Sequence, residues 1–387
     1  MDTVNDMLFH FTDEQQQFRD SLRRFFRDTS PVTSVRDLME TENACDIEVW
    51  RRLSDELGLL GLIIPEQYGG SGFGMMEMGI AMEEMGRALY CGPFFASAMM
   101  AATAIELIAS EDQKSAWLPA IASGTLIAAL AVAESSESDL LGSVQTSVDR
   151  AGGYRLTGRK KYVVSGGQAD LLLVVARLPV TTGLAGLSLF AVSHDAPGLS
   201  KKGLGVMDRT RKQAEIELDK TPAVLLGDYG EAGVKLQEVL DLSAIALANE
   251  MVGGAEKLLE DILNYTQVRV QFGRTIGSFQ AIKHRCADLL LAVELAKSAA
   301  YFAAESVGRE TENLAVNASI AKAEASETYL LAALETIQLH GGIGFTWEND
   351  THLWFKRAKS SEVLLGDPSW YRKRLIDELA RASGDQT

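Results

Sequence analysis

A short polar connection between two helical stretches carries residues whose types and spacing could do chemistry. Arg269 opens it, and a guanidinium is always charged and presents a planar fork of donors that suits pyrophosphate oxygens. Gln271, Phe272, Gly273 and Arg274 follow it in the chain. A connection between packed helices is a usual place for function, because the scaffold is rigid and the tip is free. The pattern indicates a functional connection, with a helix–helix turn bearing a surface arginine as the plain alternative.

Helical periodicity on both sides predicts the elements that position this connection. Upstream, apolar residues recur at steps of three and four from Val252 to Ile262. Downstream, eight residues alternate steps of four and three, the spacing of a seam that packs against neighbouring helices. Half of them are Ala or Cys, so partner helices can approach closely. The downstream seam consists of Ile282, Cys286, Leu289, Val293, Ala296, Ala300, Ala303 and Val307.

Composition favours an ordinary globular protein. The chain has 387 residues, of which 47% are hydrophobic and 23% charged, and this length is enough for two or three domains. A formal charge of -16 and the lack of a basic tract argue against a nucleic-acid partner. No uninterrupted apolar run approaches the roughly 20 residues of a membrane span. We therefore expect no nucleic-acid partner and no membrane span.

The cysteines and the first residues predict the compartment. Cys45, Cys91 and Cys286 lack metal-ligand spacing, and an odd number of scattered thiols is typical of a reducing environment. The opening MDTVNDMLFHFTDEQ has neither a basic region nor an apolar stretch, so we expect no signal peptide. Together these features predict a cytoplasmic protein without a metal site.

The chain divides into three segments by pattern. Residues 1–125 show helical periodicity, residues 126–232 show the alternation and short apolar runs of strands, and residues 233–387 are helical again. Thr12 with Gln15 predicts a capping box at the start of the first helix. The sequence thus predicts an α+β fold that is mainly α, with an N-terminal helical domain, a middle antiparallel β domain and a C-terminal helical domain.

The polar connection resembles a motif of the acyl-CoA dehydrogenases. That family begins its C-terminal four-helix bundle with Arg-x-x-Phe-Gly followed by Ile-x-x-Phe-Gln. QLHGGIGF (338–345) resembles a second motif, Gln-x-x-Gly-Gly-x-Gly-Phe, and segments such as MEEMGRAL and YRLTGRKKYVVSGG extend the similarity along nearly the whole chain. The residues that match the first motif are Arg269, Phe272, Gly273, Ile276, Phe279 and Gln280.

The resemblance implies the acyl-CoA dehydrogenase fold and an FAD-dependent α,β-desaturation of an acyl-CoA thioester. It assigns Arg269 and Phe272 to the FAD of a neighbouring subunit. It assigns Gln338, Gly341 and Gly342 to the pyrophosphate and adenosine part of the cofactor. Glycine suits that role, because an absent side chain lets main-chain N–H groups reach phosphate oxygens.

The middle segment departs from the family's flavin pocket. Where the family has Thr-Glu-Pro, this chain has Ala133-Glu134-Ser135, and where the family has Trp-Ile-Thr-Asn, it has YVVS (162–165). Tyr162 can still stack on an isoalloxazine ring, and Ser165 remains a polar candidate for the cofactor. A valine at 164 offers no hydroxyl. Ordinary β-domain core residues are the competing interpretation.

The catalytic base is missing from both positions that the family uses. One lies before a glycine near the C-terminus, where this chain has Leu365-Gly366, and the other aligns with Ser243. Asp367 is the nearest substitute, but we expect its short side chain to cap the following helix. We therefore name Asp367 only as a weak catalytic candidate.

Four interpretations follow. The retained cofactor contacts and the lost base favour a subunit of a heteromeric acyl-CoA dehydrogenase, resembling bacterial enzymes for steroid side chains or other bulky acyl groups, whose homologous partner carries the base. A self-sufficient homotetramer, another flavin reaction such as that of an oxidase or monooxygenase, and a non-catalytic structural subunit are the alternatives. Fold alone does not choose among them.

Overall fold

The computed structural model describes residues 11–308 and 313–384, with side chains described as far as residue 381. The first ten residues, on which the signal-peptide expectation mainly rests, lie outside this range. The helices are α1 (Asp13–Thr29), α2 (Val32–Glu40), α3 (Ile47–Asp55), α4 (Met75–Arg87), α5 (Ala102–Ile108), α6 (Glu111–Ala122), α7 (Gly233–Val268), α8 (Gln280–Ser306), α9 (Leu314–His340), α10 (Thr351–Val363) and α11 (Pro368–Gly384). The strands are β1 (Ala128–Ala131), β2 (Ser147–Asp149), β3 (Tyr154–Val164), β4 (Leu171–Arg177), β5 (Leu187–Ser193), β6 (Leu199–Gly203), β7 (Gln213–Leu226), β8 (Val270–Gln271) and β9 (Arg274–Thr275).

The predicted fold class is confirmed, with helices on both sides of a central β segment. The helix starts also follow the sequence signals. The Thr12 hydroxyl accepts from the backbone N–H of Gln15, and the side-chain oxygen of Gln15 accepts from the backbone N–H of Thr12. Together these bonds form a complete capping box. Asp367 caps α11, since its Oδ1 accepts from the backbone N–H groups of Ser369 at 2.9 Å and Trp370 at 3.0 Å.

Chain contacts divide the protein into two compact units. The first contains the residues up to Val35, Met75–Tyr90 and the chain from Ala244 onward, and the second contains Arg36–Gly74 and Cys91–Ser243. The three domains expected from the sequence, with boundaries near residues 125 and 232, stay a prediction. None of the described helices is long and apolar enough to cross a membrane.

The second unit is built on a seven-stranded sheet in the order β1-β4-β5-β7-β3-β2, with β6 paired to β7. The sheet is antiparallel as expected, except that β1 pairs with β4 in parallel. Strand alternation sets which side chains enter the core, so that Leu156, Phe190 and Ile216 are fully buried together. This sheet holds the Tyr162 segment in place.

The first unit packs its helices closely. In it α9 is flanked by α8, α10 and α11. A Cβ at Gly86 of α4 would lie 1.9 Å from the carbonyl oxygen of Glu250 in α7, and one at Gly253 would lie 1.9 Å from that of Glu83. Only glycine permits this crossing of α4 and α7.

The predicted helix faces are confirmed in part of their length. The apolar residues of the upstream helix face, from Val252 to Ile262, are buried. Along α8 the seam is buried from Leu289 to Ala303, whereas Ile282 and Cys286 nearer the connection are half-buried. The start of α8 therefore presents apolar surface beside the Arg269 connection.

Candidate functional site

The connection after α7 is a two-residue β-hairpin. Gln271 of β8 pairs with Arg274 of β9, and the turn residues Phe272 and Gly273 have φ values of 52° and 79°. Two central residues with positive φ are typical of a type I′ turn, which suits the twist of a hairpin. A bulky residue such as Phe is an outlier at positive φ, and its side chain is 92% exposed. A strained, exposed aromatic residue points to a functional reason for its place.

The backbone of Arg269 is held by hydrogen bonds, whereas its side chain is exposed. Its N–H donates to the carbonyl of Tyr265 at 2.9 Å, and its carbonyl accepts from the N–H of Ile276 at 2.8 Å. Within the described part of the chain, no carboxylate lies within ion-pair distance of its guanidinium. Arg274, by contrast, lies 4.0 Å above the ring of Phe279. The Arg269 fork is therefore positioned and available to a ligand.

A cleft of about 610 Å³ adjoins this hairpin. The last turns of α7 contribute Thr266 and Gln267, the segment after β9 contributes Gly277 and Ser278, and α8 contributes Lys283. Leu263, Ile282 and Cys286 also line the cleft, so it presents apolar surface beside hydroxyl, amide and ammonium groups.

The glycine motif forms an open turn at the end of α9. The N–H of Gly341 donates to the carbonyl of Gln338, and Gly341 has a φ of 65°. A Cβ on Gly341 or Gly342 would meet no atom within 4 Å, so this backbone faces open space. The side chain of Gln338 is also exposed. The turn is thus a main-chain cradle that phosphate oxygens could approach.

Stacked rings join the two motifs within the first unit. The ring of Tyr265 stacks on His340 with centroids 4.1 Å apart. Tyr265 accepts through its carbonyl from Arg269, and His340 directly precedes Gly341. The structure therefore brings the arginine hairpin and the glycine turn near one another, and their shared role in cofactor binding stays a prediction.

Tyr162 and Ser165 belong to the second unit, at the end of β3. Both have left-handed backbones, with φ values of 56° and 54°. Tyr162 is 41% exposed, whereas Ser165 is buried and its N–H donates to the carbonyl of Lys212 at 2.9 Å. The phenol ring of Tyr162 is available for stacking, and Ser165 offers a hydroxyl from a buried position.

The two base positions hold no acid. Ser243 is fully buried, and its hydroxyl donates to the carbonyl of Val239 at 2.6 Å, within the same helix. Leu365 is 6% exposed and has a φ of 64°. Asp367 uses one carboxylate oxygen to cap α11, as expected, and its role as a base stays an untested prediction.

Other carboxylates along α7 are engaged elsewhere. Glu250 forms a buried ion pair with Arg357, with Nη1 and Oε1 2.5 Å apart. Asp241 accepts from the side chain of Gln237 at 3.2 Å. A base role for Glu250 would leave the Arg357 guanidinium buried without its partner, which is costly.

The turn that contains Leu365 keeps a firm support. The ammonium of Lys322 is fully buried and donates to the carbonyls of Glu362 and Gly366, each at 3.1 Å. The hydroxyl of Tyr371 donates to the carbonyl of Leu365 at 3.0 Å. This support explains how a leucine holds a left-handed backbone, which costs an isolated residue about 1–2 kcal/mol.

Sequence reasoning missed this lysine and a second buried one, Lys160. Lys160 lies in the charged run GRKK (158–161), which suggests a solvated face. The alternation that places Leu156 inward, continued by four residues, places Lys160 inward as well. The two-residue alternation of β3 was therefore the sequence signal for the burial of Lys160. For Lys322, no comparable signal appears in the sequence.

The described residues contain no group of three or more His, Cys, Asp or Glu side chains that could hold a metal ion. Cys45, Cys91 and Cys286 are free thiols. The candidate groups are thus an arginine hairpin and a glycine turn in the first unit, and a tyrosine-bearing strand end in the second.

Comparison with known proteins gives consistent matches. The N-terminal domain model of acyl-CoA dehydrogenases matches residues 12–125, and the C-terminal domain model matches residues 233–378. Acyl-CoA dehydrogenase IpdE2 of Mycobacterium tuberculosis is 31% identical over 95% of this chain and 98% of its own length.

Solved structures agree with this result. A Tcur3481–Tcur3483 steroid ACAD variant matches with a TM-score of 0.87 and 30% identity, over 96% of this chain and 99% of the other. The ChsE4–ChsE5 complex of Mycobacterium tuberculosis matches with a TM-score of 0.87 and 27% identity, over 97% and 99%. The chain belongs to the acyl-CoA dehydrogenase family.

Proposed function

We propose that this chain is a subunit of a heteromeric, FAD-dependent acyl-CoA dehydrogenase whose homologous partner supplies the catalytic base. The reaction is the α,β-desaturation of an acyl-CoA thioester. The observation that carries the proposal is the contrast between the two base positions, which hold Ser243 and Leu365, and the retained cofactor-facing groups around Arg269. The proposal accounts for both sides of this contrast.

Family membership makes FAD the expected cofactor, and the residues present fit it. The exposed Arg269 fork would hold pyrophosphate oxygens, and the side-chain-free backbone at Gly341 and Gly342 would let the cofactor approach the main chain closely. Tyr162 would stack on the isoalloxazine ring. When bound, FAD supplies the hydride acceptor that no side chain can provide.

The protein's own chemical task includes taking the α-proton of the thioester. That step needs a carboxylate within hydrogen-bond reach. The Ser243 hydroxyl is committed to Val239, and Leu365 has no titratable group. A positioned Glu of a partner subunit is the simplest source of the missing base.

The proposed partner is a homologous subunit, and the substrate is a bulky, steroid-type acyl-CoA. Similarity supports this partner and this substrate, since one similar structure is a Tcur3481–Tcur3483 steroid ACAD and another is the ChsE4–ChsE5 complex. Phe272, 92% exposed at a strained turn, supports a contact with another subunit. We propose that the Arg269 hairpin lies at that interface.

The test is to purify this chain alone and together with a co-expressed homologous subunit that carries a Glu at either base position. Acyl-CoA-dependent reduction of an electron-accepting dye is measured with straight-chain and steroid side-chain thioesters. We expect turnover from the complex and little or none from the single chain. In the complex, replacement of the partner's Glu by Gln should abolish it.

Turnover by the single chain that is lost in Asp367→Asn would instead establish the self-sufficient homotetramer. Turnover by the single chain that survives Asp367→Asn would contradict both assignments of the base. A complex that contains no flavin would support the structural-subunit alternative.

A further inference from the structure

A buried ion pair in the second unit has no part in the proposed chemistry. Lys160 is fully buried, and its Nζ lies 2.6 Å from Oε1 of Glu134, whose side chain is 14% exposed. The same ammonium donates to the carbonyl of Val132 at 3.0 Å. Burying a charge is costly even when it is paired. This pair therefore calls for a reason beyond stability.

The Glu134 carboxylate closes the loop between β1 and β2. Its Oε2 accepts from the N–H of Gln145 at 2.8 Å. Its Oε1 accepts from the N–H of Thr146 at 2.9 Å and from the Thr146 hydroxyl at 2.6 Å. With Lys160, four donors converge on one carboxylate, so a residue near the start of the loop is held to its last two residues.

Arg177 of β4 holds the same loop by donating hydrogen bonds to carbonyl groups of the loop. Its Nε donates to Val144 at 2.9 Å, and its Nη2 donates to Leu141 at 2.6 Å. The loop is thus held through N–H groups by Glu134 and through C=O groups by Arg177. Such a degree of constraint is unusual for a surface loop, which ordinarily varies in conformation.

Lys160 also marks one end of a bulge in β3. Lys160 pairs with Ile216 of β7 and Val163 pairs with Ala214, so two residues of β3 face one of β7. The N–H of Lys161 leaves the sheet and donates to the carbonyl of Ala133 at 2.8 Å. Bulges of this kind redirect a side chain, and here the residue that follows is Tyr162.

We propose that Lys160 and Glu134 are positioning residues that lock the β1–β2 loop onto the β3 bulge, so that Tyr162 and the loop form one rigid surface for the flavin. This inference rests on the proposed function, because the surface matters only if FAD binds there. A left-handed Tyr costs about 1–3 kcal/mol and persists only where its surroundings determine it. The bond from Lys161 to Ala133 and the anchoring of Lys160 supply that determination.

The test compares Lys160→Met and Glu134→Gln with Arg159→Met in the co-expressed complex. Arg159 precedes Lys160 on the same strand, and its ion pair with Glu217 is also 2.6 Å long but half-exposed. It is therefore a matched control for loss of a cation. Hydrogen exchange reports on the Gln145 and Thr146 amides. FAD titration and the visible flavin spectrum report on the surface at Tyr162.

We expect both test variants to speed exchange at Gln145 and Thr146, to weaken FAD binding by about ten-fold because the surface at Tyr162 is no longer held in place, and to change the flavin band shape. Arg159→Met should change none of these. If Lys160→Met does not fold, Glu134→Gln still tests the inference, because it keeps the side chain's size.

Faster exchange with unaltered FAD affinity and an unaltered spectrum would reduce the pair to a structural role and overturn the inference. Unchanged hydrogen exchange at Gln145 and Thr146 in both test variants would show that Lys160 and Glu134 do not lock the loop, and would overturn the inference. A wild-type complex without FAD would overturn the proposed function instead, and the exchange measurement would still decide whether the loop is locked.

Discussion

The Arg269 hairpin and the Glu134–Lys160 loop are both assigned to the flavin, yet they are built in opposite ways. The hairpin offers an exposed cation and an exposed aromatic ring, held through backbone hydrogen bonds and an edge contact of Phe272 with the ring of Phe279. The loop directs four donors onto one carboxylate and buries its cation completely. The polar groups of the loop are paired within the chain, whereas the hairpin presents exposed groups that we propose contact a second molecule.

This difference predicts how each region responds to mutation. Changes in the closed loop should lower the free energy of unfolding, because buried charges lose their partners. Changes in the hairpin should leave unfolding nearly unaltered and weaken binding, because its side chains contact little within the chain. Four predictions follow the comparison, from the largest expected effect to the smallest.

Glu134→Ala should have the largest effect on folding. It leaves the Lys160 ammonium buried without its carboxylate, and breaking a buried pair by removing one partner costs about 3–5 kcal/mol. Urea denaturation followed by circular dichroism measures it. Glu217→Ala removes the half-exposed partner of Arg159 on the same sheet, and we expect a change of about 1 kcal/mol or less. Equal losses in the two variants would contradict the closed-loop description.

The stability of the loop should depend on pH in a defined window. Burial lowers the pKa of Lys160 from 10.5 to about 8, against the raising effect of Glu134. Between these values the unfolded chain binds a proton that the folded chain does not, so raising the pH favours folding there.

Wild type should therefore gain up to about 3 kcal/mol of unfolding free energy relative to Lys160→Met between pH 8 and 10.5. Denaturation midpoints at about pH 7.5, below this interval, and at about pH 9 and 10, within it, measure the gain. A difference between the two proteins that stays constant across these conditions would show that Lys160 does not titrate in the folded state as described.

Arg269→Ala should weaken FAD binding in the co-expressed complex without unfolding the subunit. Loss of a charged hydrogen-bond pair costs roughly 1.5–3 kcal/mol, or about ten-fold to a hundred-fold or more in affinity. Arg269→Lys should recover only part, because an ammonium lacks the planar fork. The flavin-to-protein ratio and FAD titration measure it.

Arg274→Ala is the matched control, since Arg274 lies on the same hairpin but over the ring of Phe279. We expect it to leave the FAD dissociation constant close to that of wild type. An unchanged constant in Arg269→Ala would mean that Arg269 is a solvated surface residue and that the hairpin was wrongly assigned.

Phe272→Asn should show the smallest effect and the opposite sign for stability. Asn tolerates a left-handed backbone better than Phe, so unfolding free energy should rise by about 1 kcal/mol or less. Association with the partner should weaken, because the exposed ring is lost. Phe345→Asn is the control, since Phe345 is 82% exposed and is not among the residues with positive φ. A stability gain in both variants would contradict relief of strain as the cause.

Much of the architecture was predictable because local patterns and the fold agree. Capping residues such as Thr12 and Asp367 predicted helix starts, short apolar runs predicted β4 and β5, and alternation predicted β7. β1 was not predicted, because AALA (128–131) lacks the β-branched and aromatic residues typical of strands. It is a strand because it pairs with β4 and is fully buried.

The amino-acid sequence by itself determined which groups this protein possesses: an arginine fork, a glycine turn, a tyrosine near the flavin motif, and no acid at either base position. Only the tertiary structure decided which of these groups are exposed and which are paired within the chain. It exposed Arg269, stacked Tyr265 on His340, and drew Glu134 and Lys160 together across 26 residues of chain. The physical reason is that the sequence directly gives the chemical type of each side chain. The burial and pairing of a side chain depend instead on segments that come together only when the chain folds.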